Sequence, residues 1–212
     1  MSQNARTRPD STSGKYTKLL GEYRMACMSG LVTGAAAATS SAGHQFVMRN
    51  PSSTKTAMIR YVSAQFSCTT AYSNLQPMGY GLHITRGATA VYTGGTAIDM
   101  FTVTGSQKLR ANQDLTLFTT NNVRIATTTA LTVPATQNYD AHPLSQKMFL
   151  SPTLGQSTEV VLWDARDDGA STVRSAIELA YQECLVVENI VAQAAAGVGY
   201  VTINVEWDEV IL

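Results

Sequence analysis

The sequence is short of charge. Asp, Glu, Lys and Arg make up 14% of its 212 residues, against roughly 25% in an ordinary soluble domain. Thr, Ser, Ala, Gln and Asn fill the deficit. A surface with few charges is poorly defended against association, which suits a subunit covered by neighbours better than a freely diffusing enzyme. Cysteine is scarce as well. Cys27, Cys68 and Cys184 are far apart, odd in number and include no CxxC pair, so neither a disulfide framework nor a zinc site is expected. Cys68 and Cys184 fall within strand patterns and read as buried free thiols. No run approaches the ~18 apolar residues of a membrane span, and the polar N-terminus lacks the apolar core of a signal peptide. No membrane partner is expected.

The motifs of common chemistries are missing too. HExxH is absent, and His44, His83 and His142 have no partner at metal-ligand spacing, so each reads as a surface or satisfied histidine. There is no GxSxG elbow for a serine nucleophile. Gly14-Lys15 is followed by Tyr16 with no strand before it, so it is not a phosphate loop, and GxGxxG does not occur. The apolar neighbours of Cys184 argue against a thiolate nucleophile. Residues 164–169 (DARDDG) approach a calcium loop, but Arg166 stands where an oxygen ligand is needed and Ser175 replaces the bidentate Glu. The segment reads as a hairpin turn, leaving Asp164, Asp167 and Asp168 weak cation binding at most. Glu178, Glu183 and Glu188 recur at odd spacing, which on a strand alternates faces and prevents a catalytic pair. The expectation is a protein that is not an enzyme and has no catalytic residue, cofactor or metal.

What the chain does have is alternation. Val201, Ile203, Val205 and Trp207 fall on one face of a strand, and Thr202, Asn204, Glu206 and Asp208 on the other. That period marks a strand buried on one side. Residues 184–187 (CLVV) form a second apolar run, and the small residues of 194–199 join the two. The reading is a hairpin that closes a β-core.

Upstream, residues 44–48 form a short strand ended by Arg49-Asn50-Pro51-Ser52-Ser53, a cluster of turn formers. Residues 57–68 follow as a long strand with Met58, Val62, Ala64, Phe66 and Cys68 inward, broken at Ile59-Arg60. Residues 80–85 alternate with Tyr80, Leu82 and Ile84 inward. Shorter candidates are 90–92, 98–104, 108–117, 123–125, 130–133 and 147–150. Residues 160–163 and 172–181 read as two strands joined by a reversal at Asp168-Gly169. Eight to ten short strands, rich in Thr and without a long helix, predict an all-β domain built as a β-sandwich or barrel. Jelly rolls and other sandwiches both fit.

Residues 1–43 are expected to be an extended N-terminal arm and linker, with the sandwich over 44–212. The arm carries five bases, Arg6, Arg8, Lys15, Lys18 and Arg24, against Asp10 and Glu22. These bases are the candidate partner-binding residues. Without an aromatic ladder they are a weak nucleic-acid footprint, so a nucleic-acid partner is not expected. The zero net charge hides an asymmetry: residues 159–212 hold ten acids and two bases, a balance of −8, and the rest balances at +8. Such a division fits complementarity between subunits, or chance clustering on solvated faces. An alternative reading takes Tyr61, Tyr72, Tyr80, Tyr92 and Tyr139 as the lining of a glycan-binding face, or as ordinary strand aromatics with wet hydroxyls.

Two stretches carry a resemblance. ECLVVENI, leading through AAAGVG into YVTINVEWDEV, resembles the end of a group of tailed-bacteriophage virion proteins. In these, an E-x-L-V-V-x-N-like strand passes through a small-residue turn into a final strand ending E-W-x-E. FVMRNPSSTKTAMIRYVSAQF is similar to their early strand pair, in which an R-N-P turn precedes a long strand. The two pieces span about 60 residues and leave the arm outside. The resemblance implies a jelly-roll-like structural protein of the virion, of the capsid decoration or cement type. Its partners would be the major capsid protein or other virion subunits and further copies of itself, as a homotrimer. A head-fibre or tail-associated receptor- or glycan-binding module is the alternative. The family brings no catalytic residues.

Overall fold

The computed structural model describes residues 18–33, 43–100, 115–128, 130–134, 137–140, 142–166, 175–191 and 197–211. In chain order the strands are β1 (Lys18–Met28), β2 (Val32–Thr33), β3 (His44–Arg49), β4 (Lys55–Thr70), β5 (Pro77–Arg86), β6 (Thr96–Ala97), β7 (Val123–Ile125), β8 (Asn138–Tyr139), β9 (Ser145–Leu150), β10 (Ser157–Asp164), β11 (Ile177–Leu179), β12 (Cys184–Asn189) and β13 (Val198–Ile211). They form two antiparallel sheets. One runs β1-β13-β4-β10, with β11 also on β4 and β2 on β13. The other runs β6-β7-β3-β12-β5-β8, with β9 also on β5. The chain is an all-β sandwich.

Alternation decides which side chains meet between the sheets. Tyr23, Met25 and Cys27 of β1, Val62, Ala64 and Phe66 of β4, and Val201, Ile203, Val205 and Trp207 of β13 pack against Phe46 and Met48 of β3, Tyr80, Leu82 and Ile84 of β5, and Leu185 and Val187 of β12. Each Val, Leu, Ile, Phe or Met among these side chains, removed from water, contributes about 1.5–3 kcal/mol of gross burial energy. The second sheet is covered on its other side as well. Val47, Cys184 and Val186 face outward onto Ala88, Tyr92 and Leu131, with Val133 and Tyr139 beside them. Burial on both faces is why CLVV is a continuous apolar run rather than an alternating one.

The structure corrects the hairpin expected at the C-terminus. β12 pairs with β3 and β5, whereas β13 pairs with β1, β2 and β4 in the opposite sheet. Both strands present apolar residues to the same core, but from opposite sides of it. Periodicity reports which residues are buried and says nothing about which layer a strand joins. The reversal expected between residues 160–163 and 172–181 is corrected likewise. β10 pairs from Ser157 opposite Ser67 to Asp164 opposite Tyr61, and β11 continues from Ile177 opposite Ile59 to Leu179 opposite Ala57. Both pieces run in one direction along the 16-residue edge of β4. Asp167, Asp168 and Gly169 lie outside the described residues.

The break at Ile59-Arg60 is a β-bulge. Glu206 faces Tyr61 and Trp207 faces Ile59, leaving Arg60 as the extra residue. The inward set therefore switches from Ala57 and Ile59 to Val62, Ala64 and Phe66. Met58, expected inward, is only half-buried. Such an extra residue flips the side-chain sequence on one side of it.

Residues 18–28, read from the sequence as arm, belong to the first sheet: β1 runs along β13 from Lys18 opposite Ile211 to Met28 opposite Thr202. Residues 90–92 and 98–100, expected as strand or strand start, are irregular, and 130–133 contribute only the isolated bridge of Thr132 to Thr93. Most of the 98–104 and 108–117 candidates lies outside the described residues.

The R-N-P turn is locked by a buried amide. Asn50 Oδ1 accepts from the Ser52 N–H at 2.8 Å, and Nδ2 donates to the carbonyls of Lys55 at 2.9 Å and Leu179 at 2.8 Å. Asn50→Ala leaves those carbonyls short of a donor. It is expected to lower unfolding free energy by about 2–3 kcal/mol, read from urea titration.

Candidate functional site

Polar groups converge on the outward face of the second sheet, under the residues that cover it. Glu188 projects there from β12, in register opposite Gly81 of β5. His83 sits two residues along β5 on the same face. A Cβ at Gly81 would stand 2.7 Å from Ile190 Cγ2 and 3.3 Å from His83 Nε2, so the glycine makes room for the imidazole to lean toward the carboxylate. His44 arrives from β3 by an irregularity. Val187 faces Phe46 and Glu188 faces His44, leaving Gln45 as a bulge. That extra residue puts His44 on the face of Val47 rather than in the core with Phe46 and Met48.

The two imidazoles share one carboxylate. His83 Nε2 lies 2.7 Å from Glu188 Oε1, and His44 Nε2 lies 3.3 Å from Oε2. The His83 approach is off the line of a hydrogen bond, so it is a charge contact when the imidazole is protonated. Tyr139 closes the cluster. Its hydroxyl contacts His44 Nε2 and donates to Glu188 Oε2 at 3.3 Å. Its ring stacks on His44 at 5.3 Å and tilts over His83 at 5.2 Å. Tyr92 meets His44 edge-on at 5.9 Å and donates its hydroxyl to Gln137 Oε1 at 2.8 Å. The His44 side chain is fully enclosed, and those of His83 and Glu188 are 6% and 14% exposed. Burial pushes the Glu188 carboxyl up. The contacts of His44 and His83 outweigh that and hold it at about 2. Burial first, and then the Glu188 charge, push the Tyr139 phenol far above its usual range.

This arrangement is a closed cluster about one carboxylate, and among the described residues it lacks the support usual for a metal centre. A metal-binding imidazole passes its second N–H to another group, and neither His44 Nδ1 nor His83 Nδ1 has such a partner among the described residues. A carboxylate oxygen already stands against each Nε2. Among the described residues no group of three or more His, Cys, Asp or Glu is set to hold a metal ion.

A second buried carboxylate serves the core. Glu209, fully buried on β13, accepts from the Leu117 N–H at 2.9 and 3.0 Å, from Trp207 Nε1 at 3.0 Å and from the Thr116 hydroxyl. It ties residues 116–118 to the last strand. Burial, the largest influence, pushes its carboxyl up.

The residues singled out from the sequence are scattered. Arg6, Arg8 and Lys15 lie outside the described residues. Lys18 opens β1, and Arg24 is exposed on the same strand. Asp164 is held by Arg166 through contacts of 3.0 and 2.8 Å, a bond that lowers its carboxyl below the usual value. Glu178 and Glu188 stand on different sheets, and Glu183 pairs with Arg86 at 3.1 Å. The tyrosines share no face. Tyr80 is in the core, Tyr92 and Tyr139 join the outward cluster, Tyr72 packs on Phe66, and Tyr61 lies under the Arg166 guanidinium at 3.7 Å. All three cysteines are buried free thiols, and burial raises Cys27 to about 12 and Cys184 to about 11. The sequence signal for the cluster was Glu188 itself, an acid ending a continuous apolar run, since a buried carboxylate needs partners.

Compared with protein-family models and with curated proteins, the chain matches none.

Proposed function

We propose that the chain is a non-enzymatic structural subunit of a bacteriophage particle, a capsid decoration or cement protein of jelly-roll topology that assembles with copies of itself on the head shell. The observation that carries this reading is a pair of exposed apolar side chains two residues apart on β9, with further exposed leucines before and after the strand. Met148 is 54% and Leu150 62% exposed, and Leu144 and Leu154 flank them. Exposed apolar side chains grouped along one edge strand of a charge-poor protein support a protein-facing surface. The sandwich and the virion-protein resemblance of the two stretches support the same reading. The scattering of the tyrosines removes the platform on which glycan binding rested.

In this reading residues 1–17, with Arg6, Arg8 and Lys15, lie across a neighbouring subunit. Exposed ion pairs of this kind contribute only about 0.2–1 kcal/mol each, so retention depends on many contacts and multivalency. Because β1 starts at Lys18, deletion of residues 1–17 is expected to leave a folded body that no longer sediments with particles. Undiminished co-sedimentation rejects the arm mechanism. Met148→Glu with Leu150→Glu is expected to convert the homotrimer to monomer in native mass spectrometry, with unchanged circular dichroism. Absence of the protein from purified particles overturns the whole reading.

A further inference from the structure

We infer that the His44–Glu188–His83 cluster is an acid-operated latch, in which entry of a second proton releases the β8 segment from the second sheet. The inference is independent of the virion reading.

Glu188 is the one carboxylate within ion-pair distance of either imidazole among the described residues. One imidazolium neutralises it, and the enclosed cluster then carries no net charge. A second proton gives two imidazolium rings a single counter-charge, leaving a net positive charge enclosed. Among the described residues no other group facing the cluster takes up that charge. Arg49 of β3 is itself cationic and is turned to the Ala88 carbonyl at 2.7 Å and Asn122 at 2.8 Å. On β5, Arg86 is engaged by Asp140 and Glu183, which occupies both of those acids. Tyr92, Tyr139 and the Cys184 thiol are all shifted up by burial and stay neutral in acid.

The relief available is opening, and the cover is the weakest piece of the site. β8 has two residues and two pairings, Thr85 with Tyr139 and Arg86 with Asn138. Elements with so few supporting contacts open first. Tyr139 is also the group whose ring lies over both imidazoles. Lifting it admits water to both rings and uncovers His44, His83 and Glu188. Histidine is the side chain through which mildly acidic solution most readily adds charge to a protein, so the latch is tested there.

The test is hydrogen–deuterium exchange of the full chain at pH 7.5 and pH 5.5, corrected for the intrinsic exchange rate. The expected result is at least a tenfold loss of protection at pH 5.5 in peptides covering residues 137–140, with peptides from β13 unchanged. His83→Gln and, separately, His44→Gln leave one imidazole with one carboxylate, and each is expected to abolish the acid response. Equal protection of the wild-type segment at both pH values overturns the inference, and this arm needs no variant to fold. A full acid response in either folded variant overturns it as well.

Discussion

Replacing both imidazoles of the cluster, His44→Leu with His83→Leu, is expected to cost about 3–5 kcal/mol of unfolding free energy at neutral pH. The two substitutions leave Glu188 enclosed beneath Tyr139 without a cation. The penalty is that of an uncompensated buried charge rather than of lost packing, because leucine is apolar and of similar bulk. A triple variant that adds Glu188→Leu separates the two causes. An apolar replacement of a whole buried ionic cluster is often neutral or stabilising, so the triple variant is expected to recover most of the loss. A triple variant no more stable than the double one would show that the carboxylate is not what the imidazoles compensate. The pH dependence has a definite sign. The carboxyl is held at about 2 in the folded protein against an ordinary 4.5. A depressed folded value stabilises at pH above 4.5, and that contribution disappears as pH falls from 4.5 toward 2. In the double variant only the Tyr139 hydroxyl opposes burial, and the sign is expected to reverse: stability rises as pH falls toward 4.5. Urea titrations at several pH values check both limbs.

The fold class was legible because the alternation of β13 and β4 leaves little freedom once one face is buried. Val201 to Trp207 and Val62 to Cys68 line the core as their spacing requires. Pairing was not legible. β12 and β13 are neighbours in sequence and read as a hairpin, yet they lie in opposite sheets. An apolar residue is equally well buried by either layer. Of the two bulges, at Gln45 and Arg60, only the second was visible beforehand, as a defect of pattern. The first of them decides that His44 reaches Glu188 at all. His44, His83 and Glu188 lie far apart in the sequence, so no local spacing could disclose their meeting. β12 carried the one usable signal, in that a run apolar on both faces must be covered on both, and an acid within reach of such a cover needs a cation.

The other large effect lies where the last strand meets the first. Trp207→Ala is expected to destabilise the protein by about 3–5 kcal/mol. The indole is almost fully buried, stacked on Tyr23 of β1 at 5.6 Å and 16°, and met edge-on by Phe118 at 5.7 Å. Its loss leaves a hole between β1, β13 and residues 116–118, and the extended strands on two sides limit collapse. The indole also donates to Glu209. That carboxylate is pushed up by burial, so its ionisation opposes folding at neutral pH and each donor it keeps offsets part of that cost. Trp207→Phe retains an aromatic ring against Tyr23 but removes the N–H. It is expected to cost about 1.5–3 kcal/mol, the range for a hydrogen bond to a charged group. The phenylalanine variant should also lose less stability as pH falls, because protonation of Glu209 lowers the value of the missing donor. A loss that does not change with pH would assign the effect to ring volume alone, leaving Glu209 tied to the chain through Thr116 and Leu117 without help from the indole.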